Sequence, residues 1–247
     1  MQNVYFIVGD DYANFAVNEG VMTASHLLSR LGSTHDWQPD DCFIIGQGIS
    51  QEIISLLTAG LKAQGLHNIA ATSSPAQLHL THKHYVENVL ISQPRAIGPG
   101  HYEMDFLFSR MTDRLSDHVT GQHVGAMLMM EAARQAGVAL LELEFAKAFD
   151  KCGMTVQNFN CKFNSYVFPI PVTIDAYVEG GRANENCVNF LLTVKFLQAG
   201  KTVCEFTMDG GLFDRNHLDG VEAVKAKRVV ATTRQLIQQQ TLVAEVN

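Results

Sequence analysis

The sequence predicts an α+β protein in which a curved antiparallel sheet wraps one long helix, with a small α/β segment in front. Three observations support this prediction. Apolar residues recur at helical spacing over about residues 125–149. Apolar and polar residues alternate in several later stretches, most clearly over 187–198. Before residue 75, short apolar runs alternate with helical patterns, which is typical of a parallel α/β layer.

The N-terminal segment, residues 1–75, is predicted to be that small α/β layer. Its predicted strands and helices span 4–8, 20–31, 42–45, 50–64 and 68–72. Ser50 is suited to cap the second helix. Gly46-Gln-Gly48 lies between a strand and this helix, where a phosphate can bind, but the third glycine and the lysine of phosphate loops are missing. A tight turn is the simpler interpretation.

Residues 80–215 are predicted to hold the long helix and its sheet. The predicted strands span 87–92, 101–108, 155–163, 172–178, 187–198 and 202–213. Strands, one long helix and then consecutive antiparallel strands form the layout of a hotdog fold. Residues 216–247 form a polar tail with helical features, which we expect to dock on the protein or to contact a second subunit.

Composition and charge argue against several classes of function. The net charge is −7 and no basic face is evident, so we expect no nucleic-acid partner. No apolar run reaches membrane-spanning length and no signal peptide is evident, so we expect a cytoplasmic protein without a membrane partner. The five scattered cysteines are typical of reduced thiols. The histidine spacing matches no zinc motif, and we predict neither a metal nor a cofactor.

The long helix and the loop before it carry the candidate catalytic residues. Glu131, Arg134 and Gln135 interrupt an apolar pattern, and charged groups there are costly unless they are paired or used. His118 and His123 precede the helix. In a dimer the loop of one subunit can face the helix of the other. His118 and Glu131 are therefore candidates for proton transfer at a carbonyl group.

Structural interpretations of the same residues stay open. His118 can be a loop histidine without a role, and Glu131 can simply pair with Arg134 three residues on. His123 can orient a substrate carbonyl or bond a group at the start of the helix. Arg134 can hold a phosphate or phosphopantetheine group or only neutralise Glu131. Gln135 can donate to a thioester oxygen or satisfy backbone groups.

Binding of a substrate is also predicted at the start of the helix. Exposed amides near Val124, Gly125 and Met127 would polarise a thioester carbonyl as negative charge develops on its oxygen. The surface of Met127, Leu128 and Met130 would take the acyl chain, although methionines at this spacing are equally typical of a core.

Two motifs resemble those of the A-factor biosynthesis hotdog family. They are the stretch His82-Lys-His-Tyr-Val-Glu-Asn-Val-Leu-Ile91, and Asp117-His118 followed by Glu131-Ala-Ala-Arg-Gln-Ala136. The resemblance covers about residues 80–215. It implies a hotdog protein that handles acyl thioesters, since members of the family are linked to joining a β-ketoacyl chain to a hydroxyl of dihydroxyacetone phosphate.

The resemblance favours an enzyme that transfers an acyl group from a β-ketoacyl thioester to a small hydroxylated acceptor, as in the synthesis of secondary metabolites or signals. An acyl-carrier protein or coenzyme A would present the chain. Typical family members carry two hotdog repeats, whereas this chain has one, which predicts a homodimer. A β-hydroxyacyl dehydratase or a thioesterase is one alternative, although Asp117 stands where the dehydratase spacing from Glu131 requires a histidine. A non-catalytic acyl-binding or scaffold subunit is another.

Overall fold

A computed structural model describes residues 3–33, 37–70, 73–109, 120–145 and 152–244 of the 247-residue chain, with only the backbone for 239–244. These residues form a parallel sheet of four strands and an antiparallel sheet of six. Among the described helices, none is both long and apolar enough to cross a membrane.

The N-terminal segment folds into the predicted α/β layer. Its strands are β1 (Val4–Val8), β2 (Val21–Thr23), β3 (Cys42–Ile45) and β4 (Ile69–Ala70), and its helices are α1 (Ala24–Leu31) and α2 (Gln51–Ala63). The strand order is β2-β1-β3-β4 and all neighbours are parallel. Each helix starts at a hydroxyl cap, because Thr23 accepts from the amide of His26 and Ser50 accepts from the amide of Ile53.

One strand of this layer was not predicted. The sequence predicts a helix over 20–31, but residues 21–23 form β2 and only 24–31 are helical. Gly20 has φ of +75°, which turns the chain before the strand. Val21 then pairs with Phe6 of β1. The helix cannot start earlier because Thr23, its cap, has an extended backbone.

The loop at Gly46-Gln47-Gly48 joins the two sheets. The buried Gln47 side chain donates from Nε2 to the carbonyl of Phe106 at 2.6 Å and accepts from the amide of Phe108 at 3.0 Å. The amide of Gly48, where φ is +79°, donates to the carbonyl of Phe108 at 3.0 Å. The loop is therefore a tight turn that holds the N-terminal segment against the second sheet.

The second sheet is antiparallel throughout and continuous over its six strands. Its strands are β5 (Arg95–Gly98), β6 (His101–Asp105), β7 (Cys152–Phe163), β8 (Thr173–Ala183), β9 (Cys187–Gln198) and β10 (Lys201–Asp214). The order is β5-β6-β8-β9-β10-β7. On β9 the alternation predicted from the sequence is confirmed, because every second residue is buried: Val188, Phe190, Leu192, Val194 and Phe196.

A short helix, α3 (Leu78–Thr81), precedes the central helix, α4 (Ala126–Phe145). The central helix packs on this sheet, which confirms the predicted hotdog fold. Small residues line its buried face, which lets the strands approach closely. A Cβ at Gly137 would lie 2.9 Å from Leu192 of β9. The predicted helical residues 146–149 lie outside the described part of the chain. Val8, Tyr12 and Phe15 from the N-terminal segment belong to the same hydrophobic core.

The predicted strand over residues 87–92 is wrong. A short 3-10 turn, Val86–Asn88, stands there, followed by isolated bridges at Ile91 and Ser92. The strand that precedes the Gly98-Pro-Gly turn is β5, so the hairpin is tighter than predicted. The two other 3-10 turns span Asp10–Tyr12 and Phe15–Val17.

The C-terminal helix, α5 (Arg215–Ala244), follows β10 directly. Leu218 is buried beside Gly153 of β7, which fixes the first turn. From residue 219 to residue 238 every side chain is exposed. The tail is therefore helical, as expected, but beyond its first turn it does not dock on its own chain over the described residues, and contact with a second subunit stays a prediction.

Candidate functional site

The approach loop, residues 120–125, leads into the central helix. Gly121 is buried and has φ of +77°, so the chain turns sharply there. The amide of Val124 donates to the carbonyl of Val167 at 2.8 Å, and the amide of Leu128 donates to the carbonyl of Gly125 at 3.2 Å. The first bond ties the approach loop to the segment that follows β7, and the second closes the first turn of the helix.

A groove lies beside this start. It has a volume of about 510 Å³. Residues 123, 124, 126 and 129 line one side and residues 163–167 line the other. We call it the helix-start groove. Its mouth is formed by Phe163 and Tyr166, which are 48% and 66% exposed, and Met129 is buried in its wall. Large exposed aromatic side chains beside a cavity are typical of a binding surface.

His123 is the histidine in the lining of this groove. Its ring packs against Tyr166 with the centroids 4.7 Å apart and the planes tilted by 46°. Its Nδ1 lies 3.2 Å from the hydroxyl oxygen of Thr120. Since Nδ1 has this partner, Nε2 is the ring nitrogen that a bound molecule would meet.

A second group of polar side chains, the polar cluster, lies farther along the central helix and consists of Lys83, Glu131, Arg134 and Gln135. Arg134 donates from Nε and Nη2 to the two carboxylate oxygens of Glu131, both at 2.8 Å. Lys83 Nζ lies 2.6 Å from Glu131 Oε1, and Gln135 Nε2 donates to the same oxygen at 3.0 Å. The Glu131 side chain is only 18% exposed. The carboxylate is therefore saturated with donors.

This environment keeps Glu131 ionised. Burial of the carboxyl group raises its pKa, but the hydrogen bonds from Arg134, Lys83 and Gln135 outweigh burial and lower the pKa to about 2. The carboxylate in turn raises the pKa of the Arg134 guanidinium. A carboxylate with so low a pKa is a weak base at neutral pH. Proton transfer by Glu131 would require that some of these donors leave it.

Gln135 also holds the segment that carries the first family-like motif. Its side chain is fully buried, accepts from the amide of Leu90 at 2.8 Å and donates to the carbonyl of Asn88 at 2.8 Å. Nearby, His82 Nε2 lies 2.8 Å from Glu142 of the central helix. Side chains of the helix thus satisfy backbone groups that no regular strand satisfies.

The structure divides the predicted site residues between these two places. His123 lines the helix-start groove, and Gly125 lies in the approach loop between two lining residues. Glu131, Arg134 and Gln135 belong to the polar cluster, with Glu131 paired to Arg134. Met127 is 55% exposed on the helix surface. His118 lies outside the described residues, so its predicted approach to a helix carboxylate is untested.

Sequence reasoning missed three contributors: Lys83, Thr120 and Tyr166. No role was predicted for Lys83, yet it is an ion-pair partner of Glu131. Its place inside the first family-like motif was the one available signal. Tyr166 lies in a turn after β7 with no regular pattern, and Thr120 becomes informative only when its hydroxyl is seen beside His123.

A second cavity lies between α2 and the second sheet. It has a volume of about 490 Å³ and is lined mainly by residues 46–54, 73–75, 86–89 and 107–109. Within the described ranges, no group of three or more histidine, cysteine, aspartate or glutamate side chains is placed to hold a metal ion. Of these two cavities, the helix-start groove is the one lined by a predicted site residue, His123.

Comparison with known proteins gives one family. Residues 66–214, more than half of the chain, match the A-factor biosynthesis hotdog domain. A search of curated proteins gives no match. Among solved structures, a mutant thioesterase from Pseudomonas aeruginosa is 13% identical with a TM-score of 0.41, and the alignment covers 57% of this chain and 99% of that one. A protein from Shewanella oneidensis is 10% identical with a TM-score of 0.38, covering 56% and 87%. The groove and the polar cluster both lie inside the family match.

Proposed function

This chain belongs to the A-factor biosynthesis hotdog domain family, and we propose that it binds an acyl thioester in the helix-start groove and transfers the acyl group to a small hydroxylated acceptor. The observation that carries the proposal is the groove itself. It combines the start of a 20-residue helix, a histidine and apolar side chains in one cavity of about 510 Å³. The helix start would bind the thioester carbonyl, the histidine would move a proton during the transfer, and the apolar side chains would hold the acyl chain.

The start of the central helix would hold the thioester carbonyl. Amides at a helix N-terminus carry partial positive charge and stabilise an oxygen on which negative charge develops. The amide of Val124 donates to the carbonyl of Val167, and the amide of Leu128 donates to the carbonyl of Gly125. Within the described residues, this leaves the amides of 125–127 as donors for the substrate oxygen.

The groove would hold the first part of the acyl chain, while the carrier stays outside. Met129 and Val124 are buried in the wall, and the exposed rings of Phe163 and Tyr166 stand at the mouth. An acyl-carrier protein or coenzyme A is too large to enter a cavity of about 510 Å³. Either would lie across this mouth with only the acyl end inserted.

His123 would move the proton. The acceptor hydroxyl oxygen forms a bond to the thioester carbonyl carbon while its proton passes to His123 Nε2. The carbon–sulfur bond then breaks and the leaving thiolate takes that proton. The products are an ester and a free thiol, so the step needs no oxidant, reductant or cofactor. Water in place of the acceptor would give a free acid by the same path.

The polar cluster would support the site rather than react. Glu131 holds Arg134 and Lys83 in place, and the exposed part of Arg134 is suited to an anionic group on the acceptor or carrier. Proton transfer by Glu131 or His118, which the sequence predicts, stays a prediction.

We also propose that the protein works as a homodimer. In the described sheet, β7 pairs on one side with β10 and its other side is an edge. Val156 and Phe163 on this strand are exposed, and unpaired edges of this length favour association with another strand. Phe163 also lines the groove, so a second copy at this edge would lie beside the bound thioester. Light scattering should give twice the monomer mass, and a monomer would contradict this part of the proposal.

Mass spectrometry tests the reaction. The purified protein is incubated with β-ketoacyl and β-hydroxyacyl thioesters, with and without dihydroxyacetone phosphate as acceptor. We expect the mass of an acyl–acceptor ester that forms only when both substrates are present. Loss of water alone would indicate a dehydratase and free acid alone a thioesterase. No new mass with any substrate pair would favour a non-catalytic binding subunit. Each of these three outcomes would overturn the transferase proposal.

A further inference from the structure

The N-terminal segment contacts the approach loop through three hydrogen bonds. Asn14 Nδ2 donates to the carbonyl of Thr120 at 3.1 Å, and the Asn14 carbonyl accepts from Gln122 Nε2 at 2.9 Å. The amide of Phe15 donates to the carbonyl of Gly121 at 2.9 Å. Three successive residues of the approach loop are thus bound by two successive residues of a separate α/β layer.

The contact surface favours glycine at position 121. Gly121 has φ of +77°, and a Cβ there would lie 2.7 Å from Asn14 Nδ2. Phe15 is fixed on the other side, because its ring stacks on Phe168 with the centroids 5.3 Å apart. The approach loop therefore packs against a defined arrangement of Asn14 and Phe15 in the N-terminal segment.

Thr120 links this contact to the groove. Its carbonyl accepts from Asn14, while its hydroxyl lies 3.2 Å from His123 Nδ1 and accepts from the amide of Gln122 at 3.3 Å. The orientation of the Thr120 peptide thus determines where its hydroxyl meets the imidazole. A displacement of that peptide would turn the ring away from the bound carbonyl.

We propose that Asn14 is a positioning residue for His123, and that the N-terminal segment is therefore a working part of the acyl-thioester site rather than an attached module. This inference rests on the proposed function of the groove. It concerns how the imidazole is held, which is measurable whether or not a thioester is turned over.

The test uses the full chain labelled with 13C-histidine, and the His123 signal is assigned by its loss in His123→Gln. Asn14→Leu keeps the approximate shape of the side chain but removes the amide donor without adding charge. Thr120→Val removes the hydroxyl, whereas Thr120→Ser keeps it. Gln64→Ala is the matched control, because Gln64 also donates from an exposed amide to a backbone carbonyl, that of Leu31, away from the approach loop.

We expect the His123 chemical shift to be displaced in Asn14→Leu and Thr120→Val, and to match wild type in Thr120→Ser and Gln64→Ala. With an active thioester, Asn14→Leu should lower kcat roughly tenfold with KM changed less than about twofold, because the imidazole is misplaced rather than lost. Thermal unfolding of each variant shows whether it is folded at the temperature of measurement.

A His123 signal that stays at its wild-type position in folded Asn14→Leu would overturn the positioning role. A displaced signal supports it, even if no thioester is consumed by the wild-type protein. In that case the proposed function fails while the positioning of His123 by Asn14 stands. A fall in kcat with an unmoved His123 signal would also overturn the inference, since the effect would not pass through the imidazole.

Discussion

The central helix carries two polar sites that differ in how far their groups are satisfied. In the polar cluster, Glu131 accepts from three side chains and its pKa is lowered to about 2. In the helix-start groove, His123 has one side-chain hydrogen-bond partner among the described residues, Thr120, and it lines a cavity with exposed aromatic rings. Saturated groups hold a fold together, whereas groups with free bonding capacity can bind and react. We therefore expect the cluster to contribute to stability and the groove to carry the proposed chemistry.

The largest effect should follow the loss of the groove histidine. His123→Gln should lower kcat for thioester consumption by about a hundredfold or more, because general acid–base catalysis typically contributes 10²- to 10⁴-fold. The unfolding temperature should barely change. Steady-state kinetics of thiol release measure the effect. His26→Gln, on the surface of α1, is the control. Equal rates in the two variants would place the reactive group elsewhere.

The cluster should respond in stability instead. Arg134→Met should lower the free energy of unfolding by about 2 kcal/mol, because the partly buried Glu131 carboxylate loses its bidentate hydrogen-bond partner. Arg95→Met is the matched control: Arg95 pairs with Glu103 on the surface, and its loss should cost less than about 0.5 kcal/mol. Urea unfolding measures both. Similar losses in the two variants would show that the cluster is no stronger than a surface pair.

Acid should remove the contribution of Glu131. Its pKa in the folded protein is lowered from 4.5 to about 2, so its stabilisation is complete above about pH 4.5 and is lost as the pH falls towards 2. Glu131→Gln lacks this dependence. The gap in unfolding free energy between wild type and Glu131→Gln should therefore narrow over that range. A gap that stays constant from pH 7 to pH 2.5 would contradict the low pKa.

The smallest effect should come from the groove mouth. Tyr166→Ala removes the ring that packs on His123 and should raise KM roughly three- to fivefold, as expected for one aromatic contact. Tyr85→Ala, an exposed tyrosine outside the groove, is the control. Comparing initial rates over a range of thioester concentrations separates KM from kcat. An unchanged KM would exclude Tyr166 from the binding surface.

The fold was predictable because its periodic elements are long. The alternation over β9 and the helical spacing of α4 each persist over many residues, so the layout of helix and sheet follows from the sequence. The pairing of Glu131 with Arg134 was also predictable, because side chains three positions apart on a helix lie on the same face.

Contacts between distant segments were not predictable. Lys83 reaches Glu131 from a segment without regular structure, and Asn14 binds Thr120 from 106 positions away. No spacing in a single sequence reports such pairs. The short strand β2 was missed because three residues at the start of a helical pattern carry too little periodicity to be distinguished.

Photolabelling shows whether the acyl chain lies in the helix-start groove, as we propose. A thioester with a photoreactive group on its acyl chain is bound to the full protein and irradiated, and the modified peptides are mapped by mass spectrometry. We predict labels on residues 123–129 and 163–167, which compete with unmodified thioester. Labels on residues 46–54 or 86–89, which line the cavity beside α2, would contradict the claim.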